Sequence, residues 1–329
     1  MANTTRRTLE DSLHDYLESI QLSRSPRTHR TYAQACQHFQ HMLAERGVKT
    51  GTLEAPSLST EWLGWFVTYL HRYSVATERL YLAALAGYFD FAVAEEHAQI
   101  NLAAMRQIIK RRQRRAPERI IRFPRKQIEL TLDFVDSLAV STVEDERHRL
   151  IKLRDRALIY TLADTGLRVA EACRLTRGHI DWDEGRAVVV GKGGSEGVVR
   201  FSRRLLARLK QYLGARAALD GSTGRPLPSL ALFARHDDGA GNRILPISTV
   251  TARNIVDQVV VAALGQEAKG TITPHSYRHY FVTLVLRSSG GNLRLAQELA
   301  RHKNIAITQR YAHLSDDDLD RGYHEVFDR

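Results

Sequence analysis

The chain has 329 residues, 43% of them apolar, and carries a formal net charge of +11 from 48 Lys and Arg against 37 Asp and Glu. That length holds two domains of ordinary size, and that apolar content excludes global disorder. The charge points to a polyanionic partner, most simply nucleic acid, although a merely basic soluble protein has the same balance.

Residues 8 to 105 carry helical periodicity throughout. Leu9, Leu13, Tyr16, Leu17 and Ile20 fall on one face. Ser25 followed by Pro26 predicts an N-cap with proline at the first helical position. It opens a stripe of Tyr32, Ala35, Cys36, Phe39, Met42 and Leu43. A third helix holds Trp62, Leu63, Phe66, Tyr69 and Leu70, and a fourth holds Leu80, Leu82, Ala83, Leu85, Ala86, Phe89 and Val93. Together they predict a compact domain of four or five helices over residues 1–105.

The composition shifts at Arg106. From there to Lys126 stand ten basic residues and one acid, Glu118, with Pro117 and Pro124 breaking the pattern. The stretch predicts a helix end running into a linker over 106–126. Most charge runs are solvated faces, but this one sits between two apolar-patterned blocks, where a linker that follows a phosphate backbone reads at least as well. The candidate DNA-binding residues are Arg106, Lys110, Arg111, Arg112, Arg114, Arg115 and Arg119.

Residues 127 to 329 are mixed. Leu150 to Ala163 reads as helix. Ala187 to Val190 and Val198 to Phe201 read as two strands joined by the glycine-rich GKGGSEG. Leu205 to Leu219, Ser248 to Leu264 and His275 to Ser288 are helical by periodicity, and DGSTGRPLPS is loop. Cys36 and Cys173 have neither metal nor redox spacing, and read as reduced, mostly buried thiols of a cytosolic protein. The first residues lack the apolar stretch of a signal peptide, and no apolar run approaches the roughly 20 residues that span a bilayer, so no membrane partner is expected.

Four stretches concentrate polar residues in apolar settings. In LADTGLRVAEACRL, residues 162–175, Gly166 permits a tight turn into a helix whose start carries Arg168, where outward N–H groups favour an anion. Glu171 is one turn on and able to hold the guanidinium, although such a pair is more often a surface salt bridge. VVVGKGG puts Lys192 at a hairpin tip, where a lysine is ordinarily just solvated. TPHSYRHYF, residues 273–281, places His275, Arg278 and His279 within one turn of a helix start. LARHKNIAITQRYAHL, residues 299–314, holds His302 and, nine residues later, Tyr311. Each signal is weak singly.

The ordered set, R-x-x-E, a hairpin Lys, H-x-x-R-H and H-x8-Y, resembles the tyrosine recombinase (phage-integrase-type, Xer-like) family over nearly the whole chain. SPRTHRTYAQACQHFQHML and SVATERLYLAALAGYFDFA are similar to that family's helical core-binding domain. The resemblance implies a mainly α fold with a small β-sheet. It divides the chain into an N-terminal SAM-like core-binding domain at 1–105, a basic linker at 106–126, and a mixed α/β catalytic domain with a C-terminal tail helix at 127–329. It also implies roles: Tyr311 as nucleophile, Arg168 and Arg278 as clamps on the scissile phosphate, and Lys192 as proton donor to the leaving 5′-hydroxyl. His275 would act as acid/base on the tyrosine proton and His302 as a hydrogen-bond donor to the phosphate, with Glu171 and His279 in support. One position departs from the pattern: the family usually has Gly before the histidine matching His302, and here it is Arg301.

Elementary chemistry agrees with those roles. The transition state at a phosphodiester gathers negative charge, which two permanently charged planar guanidiniums meet with paired donors. A tyrosine with a pKa near ~10 needs a base or nearby cations to attack at neutral pH. The phosphotyrosine ester retains the bond energy, so neither ATP nor another cofactor is expected. Two arginines and a lysine handle the charge without a metal, and no Asp, Glu and His cluster has ligand spacing.

The expected partners are double-stranded DNA core sites and three further copies of the chain on two duplexes. The tail carries a helix-start signal in Ser315 and Asp316 to Asp318, then an apolar stripe of Leu319, Tyr323, Val326 and Phe327, which packs on its own domain or docks on a neighbour. Because the helical region begins near residue 8, no additional arm-binding domain is expected ahead of it. The rivals are a type IB topoisomerase-like nicking-closing enzyme and a non-enzymatic architectural DNA-binding protein.

Overall fold

In the computed structural model the described residues are 7–114, 124–138, 145–191, 194, 196–302, 304–309 and 324. The chain divides into two compact units, Met1–Ile120 and Ile121–Arg329.

The first unit is helical. Thr8 starts α1 (Leu9–Ser23) with a reciprocal capping box to Asp11. Ser25 caps α2 (Pro26–Glu45) with Pro26 at its first position, as its sequence predicts. Ser59, Ser74 and Asn101 cap α3 (Thr60–Leu70), α4 (Val75–Ala94) and α5 (Leu102–Arg112) through side-chain oxygens on backbone N–H groups. The apolar stripes close on one another: Leu9, Leu13, Tyr16, Phe39, Met42, Leu43, Leu63, Phe66, Leu85, Tyr88 and Phe89 share one buried cluster. Met105 of α5 is fully buried in it, with Ile109 packed alongside. The basic stretch therefore begins as the end of a helix, which is continuous to Arg112. The reason is the apolar pair Met105 and Ile109, four residues apart on one face, which the density of charge around them obscures.

The second unit opens with α6 (Arg125–Ser137) and α7 (Glu146–Thr165), followed by α8 (Val169–Arg174). The three-stranded antiparallel sheet has the order β1 (Ile180–Asp181), β2 (Arg186–Val190), β3 (Glu196–Arg200). Val188 pairs with Val198 in register, and β1, only two residues long, is the strand that periodicity does not reveal. Alternation sends Ala187, Val189 and Val199 into the core, while Val188, Val190 and Val198 stay about half exposed.

Sequence periodicity merges α9 (Arg203–Ala215) and α10 (Ala217–Gly221) into one helix; the chain breaks at Arg216. That side chain is fully buried, donating to the carbonyls of Ala231 and Leu232 at 2.9 and 3.1 Å and pairing with Asp220 at 2.8 Å. A charge at such depth is tolerable only with this pairing. Next come α11 (Thr249–Leu264), α12 (Pro274–Ser288), α13 (Leu293–Ala300) and α14 (Ile305–Gln309). Tyr277 of α12 is fully buried and hydrogen-bonds Thr131 of α6 at 2.7 Å, fixing α12 to the core.

No helix among the described residues is long and apolar enough to cross a membrane.

Candidate active site

Three chain reversals of the second unit meet at one guanidinium. The first is the end of α7, where Gly166 takes φ +59° and ψ 21°. A Cβ there would stand 2.5 Å from Cδ1 of Phe281 on α12, so both the left-handed backbone and the close approach require glycine. Leu167 is buried behind the turn, and Arg168 becomes the N-cap of α8. Glu171, buried one turn on, accepts the backbone N–H of Arg168 at 2.9 Å through Oε2 and its Nη1 at 2.8 Å through Oε1. The Arg168 side chain is still 52% exposed, held at its root with room at its tip.

The second reversal is the start of α12, with Pro274 at its first position and Thr273 and Ser276 in a reciprocal box. It presents His275 and His279 edge to face, ring centroids 4.4 Å apart. Between them Arg278 turns inward and is 2% exposed. Its Nη1 donates to the carbonyl of Gly166 and its Nη2 to that of Ala300, the last residue of α13. Arg278 thus ties the turn that carries Arg168 to the turn that carries His302.

The third reversal is the end of α13. The N–H of Arg301 donates to Glu298 and that of His302 to Gln297, both at 3.0 Å, which closes the helix with a left-handed residue at Arg301, φ +55° and ψ 45°. A non-glycine residue there costs about 1 kcal/mol. Arg301 lies back over the site and donates from Nη2 to Glu171 Oε2 at 2.8 Å. His302 is buried, with Nδ1 2.9 Å from Oγ1 of Thr308, itself fully buried on α14.

The electrostatics follow from this crowding of cations. Burial, then Arg278 and Arg168, push His302 down to about 4, with His275 and His279 adding to the effect. Burial, then His275 and Arg278, push His279 down to about 4 as well. Burial and the same two arginines lower His275. All three rings are thus neutral at pH 7. Burial works to raise Glu171, but the Arg168 N–H and the Arg301 and Arg168 guanidiniums outweigh it and keep the carboxylate ionised. The result is a cluster of fixed positive charge among neutral imidazoles, suited to one anion.

Arg168, Glu171, His275, Arg278, His279 and His302 are therefore brought together. Lys192 and Tyr311 lie outside the described residues, as do Arg115, Arg119 and the apolar stripe of the tail. Two other tyrosines near the site, Tyr277 and Tyr280, are buried, and burial holds both phenols above their ordinary value. Sequence reasoning missed Thr308 and Gly197, whose roles exist only through the side chains they meet. Among the described residues no group of three or more His, Cys, Asp or Glu is placed to hold a metal ion.

The basic residues from Arg106 to Arg114 sort into two kinds. Arg106 pairs with Asp90 at 2.9 Å, and the Arg112 guanidinium rests against Gly64 of α3. Arg114 donates from its backbone and its Nε to the fully buried carboxylate of Glu78, at 2.8 and 2.5 Å, and from Nη2 to the carbonyl of Tyr73 at 2.6 Å. Its ion pair is structural. Lys110 and Arg111 are exposed on the last turn.

Comparisons with known proteins agree with this geometry. The profile of the phage integrase family matches residues 122–318, and that of the phage integrase N-terminal SAM-like domain matches residues 13–96. The tyrosine recombinase XerC of Xylella fastidiosa (strain 9a5c) is 32% identical over 279 residues, covering 84% of this chain and 84% of the relative. XerC of Vibrio cholerae serotype O1 (strain M66-2) is 28% identical, covering 100% of this chain and 97% of the relative. Among solved structures, XerH bound to palindromic difH substrate in a post-cleavage complex superposes with a TM-score of 0.68 at 19% identity, covering 92% of this chain and 80% of that one. The Tn1549 transposon integrase in complex with transposon right end DNA gives 0.65 at 18% identity, covering 98% of this chain and all of that one. The fold is that of a tyrosine recombinase, with an N-terminal helical core-binding domain and a C-terminal mixed α/β catalytic domain. The chain belongs to the phage integrase family.

Proposed function

We propose that this chain is a site-specific recombinase that cuts and rejoins duplex DNA through a covalent bond to Tyr311, for integration, excision or resolution of DNA. The observation that carries the reading is the placement of Arg278. By bonding the carbonyls of Gly166 and Ala300, it brings the exposed Arg168 tip, His275 and buried His302 into one positively charged cluster.

In this reading Arg168 and Arg278 clamp the non-bridging oxygens of the scissile phosphate, and His302 donates a further hydrogen bond. Tyr311 attacks phosphorus, and its phenolic proton passes to His275, which is neutral and able to accept it. The bond from phosphorus to the 5′-oxygen breaks, and Lys192 protonates that oxygen. A 3′-phosphotyrosine remains. Attack by a 5′-hydroxyl of the partner duplex reverses each step, so the cycle neither consumes ATP nor needs a metal. The exposed Lys110 and Arg111 supply sequence-independent phosphate contacts. Four protomers assemble on two duplexes, with the apolar stripe of the tail docked on the neighbour. That coupling between subunits is what separates recombination from the nicking and closing of a topoisomerase.

The test is a suicide substrate carrying a nick next to the cleavage position, incubated in excess EDTA without nucleotide. A denaturation-resistant adduct forms with the native chain and not with Tyr311→Phe, which still binds DNA. A strict Mg²⁺ requirement for cleavage, or an adduct with Tyr311→Phe, overturns the reading.

A further inference from the structure

We propose that Arg301 is a positioning residue for the strand-cleavage step. It neutralises the Glu171 carboxylate, and so leaves the charge and aim of Arg168 to the substrate phosphate. The inference rests on the reading of Arg168 as a phosphate clamp.

Three features single Arg301 out. Its backbone is left-handed at φ +55°, a conformation that glycine adopts freely and arginine does not, so the side chain must contribute something to be worth placing there. The side chain is 14% exposed and donates to the same Glu171 oxygen, Oε2, that accepts the Arg168 N–H. Space for it is made elsewhere: a Cβ at Gly197 on β3 would come within 2.7 Å of Arg301 Cδ, so the glycine of the hairpin strand lets the stem of Arg301 pass.

The charge balance gives the consequence. Glu171 alone cancels the positive charge of Arg168, which it contacts at 2.8 Å. With Arg301 on the other side of that carboxylate, the group of three carries a net positive charge, and the carboxylate is pulled from two sides rather than drawn onto Arg168. The Arg301 Nε and Nη1 donors are buried and have no hydrogen-bond partner among the described residues, an expense that a purely structural ion pair does not need. A cation with donors to spare beside the clamp favours a site that holds an additional negative charge as the phosphorane develops. The Arg301 stem also passes against β3 at Gly197, so the Arg168 clamp and the hairpin strand share one support.

Arg301→Gly is the decisive variant, because glycine suits the backbone and the chain should keep its fold. The expected result is single-turnover cleavage slowed about 10- to 100-fold on the nicked substrate, with the DNA dissociation constant within about twofold and the melting temperature unchanged or raised. Arg301→Lys should recover part of the rate, since it restores charge but not the planar fork. Gly197→Ala should reproduce the loss by displacing the Arg301 stem. Combined with Arg301→Gly it should cause no further loss, because the obstructed side chain is gone.

Wild-type rates in Arg301→Gly overturn the proposal, as does an equal added loss from Gly197→Ala in both backgrounds. Arg168→Ala run in parallel separates the two readings. If Arg168→Ala cleaves normally, the phosphate clamp is at fault. If Arg168→Ala is dead and Arg301→Gly is normal, only the role of Arg301 fails.

Discussion

Oγ1 of Thr308 stands 2.9 Å from Nδ1 of His302, and both side chains are buried. The contact fixes the orientation of a ring that otherwise turns about its χ2, and it ties α14 to the end of α13. Thr308→Val keeps the shape and removes the hydroxyl. Cleavage should slow about 5- to 10-fold, the scale of one neutral hydrogen bond, and Thr308→Ser should restore most of it. Equal rates for Val and Thr in single-turnover assays would show that the ring is oriented by something else.

Arg168 and Arg278 should differ in how they fail. Replacing either with alanine should slow cleavage at least about 100-fold, the scale for losing one preorganised donor to a transition-state oxyanion. Arg168→Ala should leave the melting temperature nearly unchanged, because its guanidinium is half exposed. Arg278→Ala also strips the carbonyls of Gly166 and Ala300 of their donor and should lower the melting temperature by several degrees. Near-normal cleavage in Arg168→Lys would remove the case for paired donors at that position.

The histidines set an acid limit. His302 and His279 are both pushed down to about 4, mainly by burial, against 6.5 for an unperturbed ring. Between pH 6.5 and 4 the unfolded chain takes up protons at these two positions and the folded chain does not, so stability falls as pH falls through that window and levels below it. Above pH 6.5 the two rings contribute no slope. Titration of the His302 ring protons by NMR should give a midpoint well below 6. A DNA phosphate bound beside the ring should raise that midpoint, since an adjacent anion favours the imidazolium. A free-protein midpoint near 6.5 would mean that His302 is not enclosed.

Neighbouring arginines of the basic stretch should behave in opposite ways. Arg114→Ala leaves the fully buried Glu78 carboxylate without its ion-pair partner and should destabilise the first unit by on the order of 3 kcal/mol. Arg111→Ala should leave stability unchanged and reduce the slope of log affinity against log salt by about 1. Chemical denaturation and a salt series on the same DNA separate the two effects, and a stable Arg114→Ala with a reduced salt slope would assign Arg114 to DNA instead.

Much of this was legible in the order of residues. Capping at Ser25 with Pro26, the apolar stripes of α1 to α3, the two longer strands and the start of α12 are local signals, fixed by backbone geometry and side-chain period. In α4, by contrast, Leu80 and Ala83 face solvent, and Tyr81, Ala84 and Tyr88 fill the core instead. R-x-x-E and H-x-x-R-H each lie within a turn or so of helix, so their spacing alone puts the two members of the first and the three of the second close together. The ordered set along the chain pointed to the family, which the family profiles then showed. What the sequence could not decide is what long-range contact decides. Arg106 and Arg114 read as free basic charge until Asp90 and Glu78, 16 and 36 residues away, are seen beside them. Arg216 reads as one more helical residue until the carbonyls of Ala231 and Leu232 meet it. Arg301 reads as a departure from a pattern until Glu171, 130 residues earlier, accepts its guanidinium and Gly197 gives it room. Period and spacing constrain neighbours within a turn or a strand; which buried charge meets which carboxylate is settled only when the core closes, because only desolvation makes an unpaired charge costly enough to choose its partner.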